Sequence, residues 1–185
     1  MILRHIPNML TLIRLVLIAP FLVSIYEHSY VNAFTIFILA GCTDGLDGLL
    51  ARYFHWQTTF GSFIDPLADK LLISSSFISL ALIGMLPWWL VALVFLRDLC
   101  ISIGVLAWYW LIMKKLDFRP TILSKINTVL QLALLTLCLF ELAFFRFSPR
   151  LTELLIFMTT ITTTSTFIDY AWTWKKAYFT VQMTK

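Results

Sequence analysis

Charged residues are scarce in this chain. Only 13% of its 185 residues are Asp, Glu, Lys or Arg, whereas 60% are hydrophobic. Soluble domains carry about 25% charged residues, so the composition excludes an ordinary soluble domain. The net charge of +4 suits anionic lipid, and the absence of a basic stretch interleaved with aromatic residues argues against nucleic-acid binding.

Cysteine is scarce as well, which excludes two further classes of protein. Cys42, Cys100 and Cys138 lie far apart, without CxxC spacing or a histidine partner. This arrangement excludes a disulfide framework and a zinc site built on thiolates. We interpret the three cysteines as packing residues.

Long apolar runs, by contrast, are abundant. A helix of about 20 residues crosses a hydrocarbon core of about 30 Å. We therefore predict an all-α integral membrane protein with six transmembrane helices, in a single domain that spans 1–185. A short interfacial segment, 1–7, precedes the first run, which we interpret as a true span because no cleavage site follows it. The six runs are 8–26, 31–50, 61–84, 88–113, 121–144 and 151–174.

Positive charges in the short connections predict the orientation. If the spans alternate, most of the lysines and arginines outside the spans fall on one side, against Arg146 and Arg150 on the other. The positive side is normally cytoplasmic, so we predict that both termini are cytoplasmic. The residues on that side are Arg4, Arg52, Lys114, Lys115, Arg119, Lys175, Lys176 and Lys185.

Four aspartates interrupt the apolar runs as two pairs, Asp44 with Asp47 and Asp65 with Asp69. Residues three or four apart share one face of a helix. A carboxylate inside a membrane costs about 2.5 to 3.5 kcal/mol on insertion scales, so we expect a cation or substrate to compensate it. Carboxylate oxygens suit hard divalent cations, so the pairs predict a site for Mg²⁺ or Mn²⁺.

Glycines lie beside these aspartates. Gly45, Gly48 and Gly61 would let a ligand approach the backbone closely, and Arg52 lies one helical turn after Gly48, where it could pair with a phosphate. Together with the aspartates they suggest a metal-bound pyrophosphate. The spacing of Gly41, Gly45 and Gly48 is also typical of packing between membrane helices, and Arg52 alone could be a cytoplasmic anchor.

The aspartates and glycines together form the pattern Asp-x2-Asp-Gly-x2-Ala-Arg-x8-Gly-x3-Asp-x3-Asp. On this motif, and on its six predicted spans, the chain resembles the CDP-alcohol phosphatidyltransferase family. The resemblance implies a six-helix membrane enzyme, usually a homodimer, that transfers a substituted phosphate from a CDP-linked donor to an alcohol and releases CMP. The matching positions are Asp44, Asp47, Gly48, Ala51, Arg52, Gly61, Asp65 and Asp69.

The resemblance also implies roles for these residues. Asp44, Asp47 and Asp65 would bind two Mg²⁺ or Mn²⁺ ions, and Asp69 would both bind metal and act as the general base. Taking the proton from an attacking hydroxyl is chemistry that a carboxylate can perform. The residues expected to border the CDP group are Gly48, Ala51, Arg52 and Gly61.

A second polar group lies in the fourth and fifth runs. Ser124, Thr128 and Gln131 recur at i, i+4 and i+7 and so predict one polar stripe, which would face the aspartates across a cavity. Arg97 and Lys125 favour an anionic acceptor. We therefore predict acceptor binding by Arg97, Ser124, Lys125 and Thr128. As alternatives, Arg97 could pair with Asp98 or with the aspartates, and Lys125 could snorkel to the interface.

The identity of the acceptor depends on few residues. Within the family, Arg97 with Asp98 and the segment 120–131 look like the branch that makes phosphatidylglycerol and cardiolipin. Asn127 stands where a second lysine is usual in enzymes that use glycerol 3-phosphate, and the lost charge favours phosphatidylglycerol as acceptor. The greater prevalence of glycerol 3-phosphate transfer favours the other choice. We predict CDP-diacylglycerol as donor and glycerol 3-phosphate as acceptor, with phosphatidylglycerol as a near-equal alternative.

The predicted location is the bacterial inner membrane, with the active site facing the cytosol. An ion-coupled transporter is the rival class, because buried charges also mark transport pathways. No internal repeat and no matching pair of broken helices supports it.

In the first run, Arg14 either points to the cavity or the donor phosphate, or packs or snorkels locally.

Overall fold

The computed structural model describes the backbone of residues 6–53, 59–112 and 121–183, and the side chains of residues 9–45, 64–103 and 121–170. It has six α-helices in these ranges, which confirms the prediction of an all-α chain. The helices are α1 Ile6–Tyr26, α2 Tyr30–Tyr53, α3 Thr59–Leu82, α4 Trp88–Ile112, α5 Ile122–Ala143 and α6 Pro149–Met183.

Most helix ends agree with the apolar runs to within a few residues. The exception is α6, which continues to Met183 although the apolar run stops at 174. The hydrogen bonds of a helix need no apolar side chain, so α6 can extend beyond the run into the segment that holds Lys175 and Lys176. Residues 1–5 of the predicted interfacial segment 1–7 lie outside the described residues, and its last two residues belong to α1.

Several helices have the character of membrane spans. Among the described residues, those long and apolar enough to cross a bilayer are Met9–Tyr26, Ile122–Ala143 and Pro149–Tyr170. Large apolar side chains also lie on the surface: Val16, Leu82 and Ile122 are 69%, 71% and 77% exposed. Such surfaces suit lipid acyl chains better than water. The six-span topology and the cytoplasmic termini stay predictions.

The chain divides into two compact units. Unit 1 comprises Met1–Met85 and Leu135–Ser148, and unit 2 comprises Leu86–Leu134 and Pro149–Lys185. The prediction of a single domain over 1–185 stays a prediction.

In unit 1, α1 packs against both α2 and α3. Small residues at zero exposure, Ala33 and Ala40 on α2 and Ala68 on α3, let the helices approach closely, while Phe21 and Phe77 fill the remaining space. This packing places α1 beside the two helices that carry the aspartate pairs.

A tight turn joins α1 to α2. The N–H of Ser29 donates to the carbonyl of Ser24 at 2.8 Å, and the N–H of His28 donates to the carbonyl of Ile25 at 3.1 Å. These two bonds form a Schellman motif, whose penultimate residue adopts a left-handed conformation, here His28 with φ 59°. Because Arg14 and Asp44 lie at similar distances from this turn along their helices, they come to the same level.

Phenylalanines close the end of unit 1 near this turn. The ring of Phe34 on α2 lies edge-on to Phe140 and Phe144, with centroid distances of 5.7 and 5.6 Å. Phe140 also contacts Phe145 and Phe147, which follow α5. Edge-to-face aromatic contacts of this kind add to the burial of apolar area. They attach the segment Leu135–Ser148 to α2.

In unit 2, α4 packs against α6. Leu90, Val91 and Val94 on α4 are buried, and so is Leu134 on α5. The buried face of α6 is different, because in its described part, 149–170, threonines at zero exposure occupy it instead of large apolar residues. These are Thr159, Thr163 and Thr166.

Candidate functional site

Arg14 is the centre of the polar group in unit 1. It lies in the middle of α1 and is 0% exposed. Its Nη1 atom contacts Asp44 Oδ1 on α2 at 2.8 Å and also contacts Asp69 Oδ1 on α3. A charge removed from water must be paired, and here carboxylates from two other helices pair with it. Since both oxygens contact the same nitrogen, Asp44 and Asp69 lie next to each other.

Thr11 extends the same face of α1 by one turn. It is 1% exposed, and its hydroxyl donates a hydrogen bond to Asp65 Oδ1. Residues three apart on a helix are neighbours on its surface, so Thr11 and Arg14 act together. The structure thus brings Asp44, Asp65 and Asp69 to one face of α1. The side chain of the fourth predicted ligand, Asp47, lies outside the described residues.

The carboxylates of this group remain accessible. The side chains of Asp44 and Asp69 are 47% and 39% exposed, although Arg14 beneath them is fully buried. The group therefore has a buried guanidinium on its inner side and two partly exposed carboxylates on its outer side. Such an arrangement can take a ligand from one side without unfolding the helices.

The donor chemistry fits a hard divalent cation, because the described side chains at this group that could bind a metal, three carboxylates and the Thr11 hydroxyl, all offer oxygen atoms. Among the described side chains, however, no three His, Cys, Asp or Glu residues lie close enough together to hold a metal ion. Asp47, which lies outside them, belongs to the predicted ligand set. The carboxylates present are thus the kind of ligand that the predicted Mg²⁺ or Mn²⁺ ions require.

Two glycines on α2, Gly41 and Gly45, border open space. A Cβ atom added at Gly41 or Gly45 would meet no atom within 4 Å among the described residues. Helix packing within the described part of the chain therefore does not explain these two glycines, and the space leaves room for a ligand. The predicted CDP-binding residues Gly48, Ala51 and Arg52 lie on α2 and Gly61 lies on α3, but their surroundings are outside the described side chains.

Arg97 is the buried charge of unit 2, at 8% exposure. Its Nη1 donates to Asp98 Oδ1 at 2.7 Å, and its Nη2 donates to the hydroxyl oxygen of Ser124 at 2.7 Å. Of the alternatives for Arg97, the structure has the local pair with Asp98. It also brings Arg97 to Ser124, as expected if both bind the acceptor.

The polar stripe of α5 differs from the predicted one. Thr128 and Lys125 are exposed, and the Thr128 hydroxyl donates to the carbonyl of Ser124 in its own helix at 3.1 Å. The buried polar residues beyond Ser124 are Asn127 and Gln131, at 0% and 3% exposure. Spacings of i+3 and i+4 both keep a residue on one helical face, so the sequence alone could not choose between Asn127 and Thr128.

Two residues of the aspartate group were not among the predicted site residues, namely Thr11 and Arg14. The signal was present for Arg14, because an arginine inside an apolar run requires an acidic partner. Thr11 lies on the same face, three residues earlier. Which acidic residues Arg14 would meet depended on the packing of α1 between α2 and α3.

The chain is similar in sequence to several known proteins. The sequence profile of the family CDP-alcohol phosphatidyltransferase matches residues 4–174. A "probable phosphatidylglycerophosphate synthase" of Mycobacterium tuberculosis is 44% identical over 109 residues, which are 56% of this chain and 52% of that protein. A "probable cardiolipin synthase (CMP-forming)" of Drosophila melanogaster is 36% identical over 181 residues, 89% of this chain and 56% of that protein.

A third similar protein is the "CDP-diacylglycerol--glycerol-3-phosphate 3-phosphatidyltransferase" of Pseudomonas fluorescens, 42% identical over 79 residues, which are 41% of this chain and 40% of that protein. The chain spans about half the length of the curated relatives it matches.

Proposed function

We propose that this chain, which belongs to the CDP-alcohol phosphatidyltransferase family, transfers the phosphatidyl group of CDP-diacylglycerol to glycerol 3-phosphate and releases CMP. The observation that carries this proposal is the contact of Arg14 with both Asp44 and Asp69, which gathers aspartates of both halves of the family motif. The names of the relatives from Mycobacterium tuberculosis and Pseudomonas fluorescens support the same acceptor.

Members of the family generally use divalent metal ions. In this chain the four motif aspartates, Asp44, Asp47, Asp65 and Asp69, would hold two Mg²⁺ or Mn²⁺ ions. Such ions supply positive charge that offsets the charge of the pyrophosphate and of the leaving CMP.

The chain's own residues prepare the reaction around these carboxylates. Asp69 accepts the proton of the acceptor hydroxyl as the hydroxyl attacks phosphorus, because a neutral hydroxyl is a weak nucleophile. Arg14 orients Asp69 by its contact with Oδ1, and Thr11 orients Asp65 in the same way. The CDP group lies along Gly48, Ala51, Arg52 and Gly61.

The acceptor phosphate binds the cationic group of unit 2. Arg97 and Ser124 are already in contact, so they present one cation and one hydroxyl together. Lys125 and Thr128 are exposed on the same helix and complete the predicted acceptor site. We place the enzyme in the bacterial inner membrane as a homodimer, with both termini and the active site on the cytosolic side.

A cardiolipin synthase activity, with phosphatidylglycerol as acceptor, is the second candidate. Asn127 favours it, because this buried residue is neutral where a second lysine would suit the doubly charged phosphate of glycerol 3-phosphate. The similarity to the protein named as a probable cardiolipin synthase of Drosophila melanogaster, over 89% of this chain, also favours it.

One experiment tests both candidates. The purified chain is placed in CDP-diacylglycerol micelles with Mn²⁺, glycerol 3-phosphate or phosphatidylglycerol is added separately, and CMP release is measured. We expect CMP release with glycerol 3-phosphate, its loss in a chelator and its return with Mg²⁺ or Mn²⁺. Release with phosphatidylglycerol alone would replace the first candidate by the second. A folded protein that releases no CMP with either acceptor would contradict both and restore the transporter hypothesis.

A further inference from the structure

A buried polar cluster in unit 2 lies between α5 and α6, apart from the Arg97 contacts. Asn127 and Gln131 on α5 are 0% and 3% exposed, and Thr159 and Thr163 on α6 are both at 0%. The hydroxyl oxygens of Thr162 and Thr163 each lie 2.8 Å from Asn127 Oδ1. These contacts hold the carbonyl side of the Asn127 amide against α6.

The other side of the cluster has unused hydrogen-bonding groups. Asn127 Nδ2, Gln131 Nε2 and Thr159 Oγ1 are buried, and none of them has a hydrogen-bond partner among the described residues. Buried polar groups in native proteins are almost always paired, since leaving one unpaired forfeits its interaction with water. Three such atoms on two facing helices indicate that a ligand pairs with them.

The register of the two helices places these atoms within one turn of each other. α5 and α6 are consecutive helices, and Asn127 meets Thr163. Gln131 lies one turn nearer the connection than Asn127, and Thr159 lies one turn nearer it than Thr163. Because consecutive helices joined by a short connection run in opposite directions, Gln131 and Thr159 come to the same level. The three residues therefore lie within about one turn of each other where α5 meets α6, and we call this group the strip.

The hydrogen-bonding groups of the strip determine which kind of ligand it can bind. The two amide nitrogens only donate, and the Thr159 hydroxyl can donate or accept. None of these groups is charged, and burying a full anion against neutral groups alone is unfavourable. The strip therefore suits an uncharged group that has several oxygens, such as the hydroxyls of a polyol. Ser124, which accepts a hydrogen bond from Arg97, lies about one turn of α5 before Asn127. A phosphate of the same molecule would bind there, beside the guanidinium.

We infer that Asn127, Gln131 and Thr159 bind the glycerol oxygens of the acceptor other than the reacting hydroxyl, while its phosphate binds near Arg97. This inference rests on the proposed function and adds a specificity site to it. Free glycerol 3-phosphate and the glycerol headgroup of phosphatidylglycerol share this chemistry, so the experiment treats them as separate arms.

The test compares isosteric variants that remove the unused groups. Gln131→Met and Thr159→Val each remove one, whereas Thr164→Val is a matched control, because the Thr164 hydroxyl is exposed and donates to the Thr160 carbonyl of its own helix at 2.8 Å. CMP release gives KM for each acceptor and for CDP-diacylglycerol. We expect both test variants to raise the acceptor KM about five- to tenfold, as for one lost neutral hydrogen bond, and to leave the donor KM unchanged. The acceptor whose KM rises identifies the source of the glycerol group.

A second readout is independent of turnover. The melting temperature is measured with glycerol 3-phosphate and with inorganic phosphate, which lacks the hydroxyls. We expect a larger rise with glycerol 3-phosphate in the wild type and in Thr164→Val, and a smaller difference between the two rises in Gln131→Met. An acceptor KM unchanged in both test variants would overturn the inference even if the wild type is active. If the wild type releases no CMP, the proposed function fails, and equal rises with both ligands in the wild type would then overturn the inference as well.

Discussion

Arg14 and Arg97 are both buried arginines in an apolar chain, yet they are neutralised differently. Arg14 contacts carboxylates on two other helices, whereas Arg97 contacts Asp98, the next residue of its own helix. A charge paired within one helix can be accommodated wherever that helix lies. A charge paired across three helices is satisfied only when all three are correctly placed. The aspartate group of unit 1 is therefore a tertiary arrangement, and the Arg97–Asp98 pair is a local one.

The largest expected effect concerns turnover in unit 1. Asp69→Asn should abolish transfer, because the general base is lost, a loss that usually costs about 10²- to 10⁴-fold in rate. CDP-diacylglycerol binding should persist in part, since the other three motif aspartates remain. CMP release and donor binding are measured side by side. Asp98→Asn is the comparison variant and should retain much more activity, and turnover of Asp69→Asn like that of the wild type would contradict the assigned role.

The next effect compares the two arginines directly. Arg14→Met leaves carboxylates on two helices without their partner, and we expect it to lower the free energy of unfolding by about 1 to 2 kcal/mol, because both carboxylates keep some contact with solvent. Arg97→Met should lower it less, because only the neighbouring Asp98 loses an ionic partner. Thermal unfolding in detergent measures both.

Divalent cations should affect the stability of the two arginine variants differently. If the aspartates bind Mg²⁺ or Mn²⁺, either ion should restore part of the stability lost in Arg14→Met and none of that lost in Arg97→Met. An equal response of the two variants to the ion would contradict a metal site specific to unit 1.

The sequence predicted the helices well and the partners of polar residues less well. Apolar runs placed α1 to α5 within a few residues, because a span must have a minimum length. The contact of Arg14 with Asp44 and Asp69 could not be predicted, since it depends on the rotation of α1 about its axis. A helix that is apolar almost all round gives little indication of which face is buried. The choice of Asn127 over Thr128 as the buried residue was open because spacings of three and four residues both keep a side chain on one helical face.

A smaller effect should follow from removing the hydroxyl of Thr11. In Thr11→Val the shape is kept but the hydrogen bond to Asp65 is lost, and a bond to a charged group contributes about 1.5 kcal/mol at the lower end of its range. Thr35→Val is the matched control, because the exposed Thr35 hydroxyl donates to the Val31 carbonyl of its own helix at 2.8 Å. Equal melting temperatures for the two variants would indicate that Asp65 does not need this donor.

The smallest effect concerns the C-terminal ends of α1 and α3 in unit 1. His28 adopts a left-handed φ of 59° at the end of α1, where glycine is usual, and Gly84 has φ 82° at the end of α3. His28→Gly should raise the free energy of unfolding by at most about 1 kcal/mol, because the ring Nδ1 lies 3.0 Å from the Tyr26 carbonyl and offsets part of the strain. Gly84→Ala should lower it instead, and a change of the same sign in both variants would contradict this account.

The burial of Arg14 has a consequence for the time at which the chain enters a membrane. Ribosomes complete α1 before they reach Asp44 and Asp69, so the newly made helix initially offers the membrane an arginine whose described acidic partners do not yet exist. On insertion scales an arginine at the centre of a span costs about 2.5 to 3.5 kcal/mol. If α1 spans a bilayer, the charge of Arg14 is therefore paired only after α2 and α3 have been made and have packed against it.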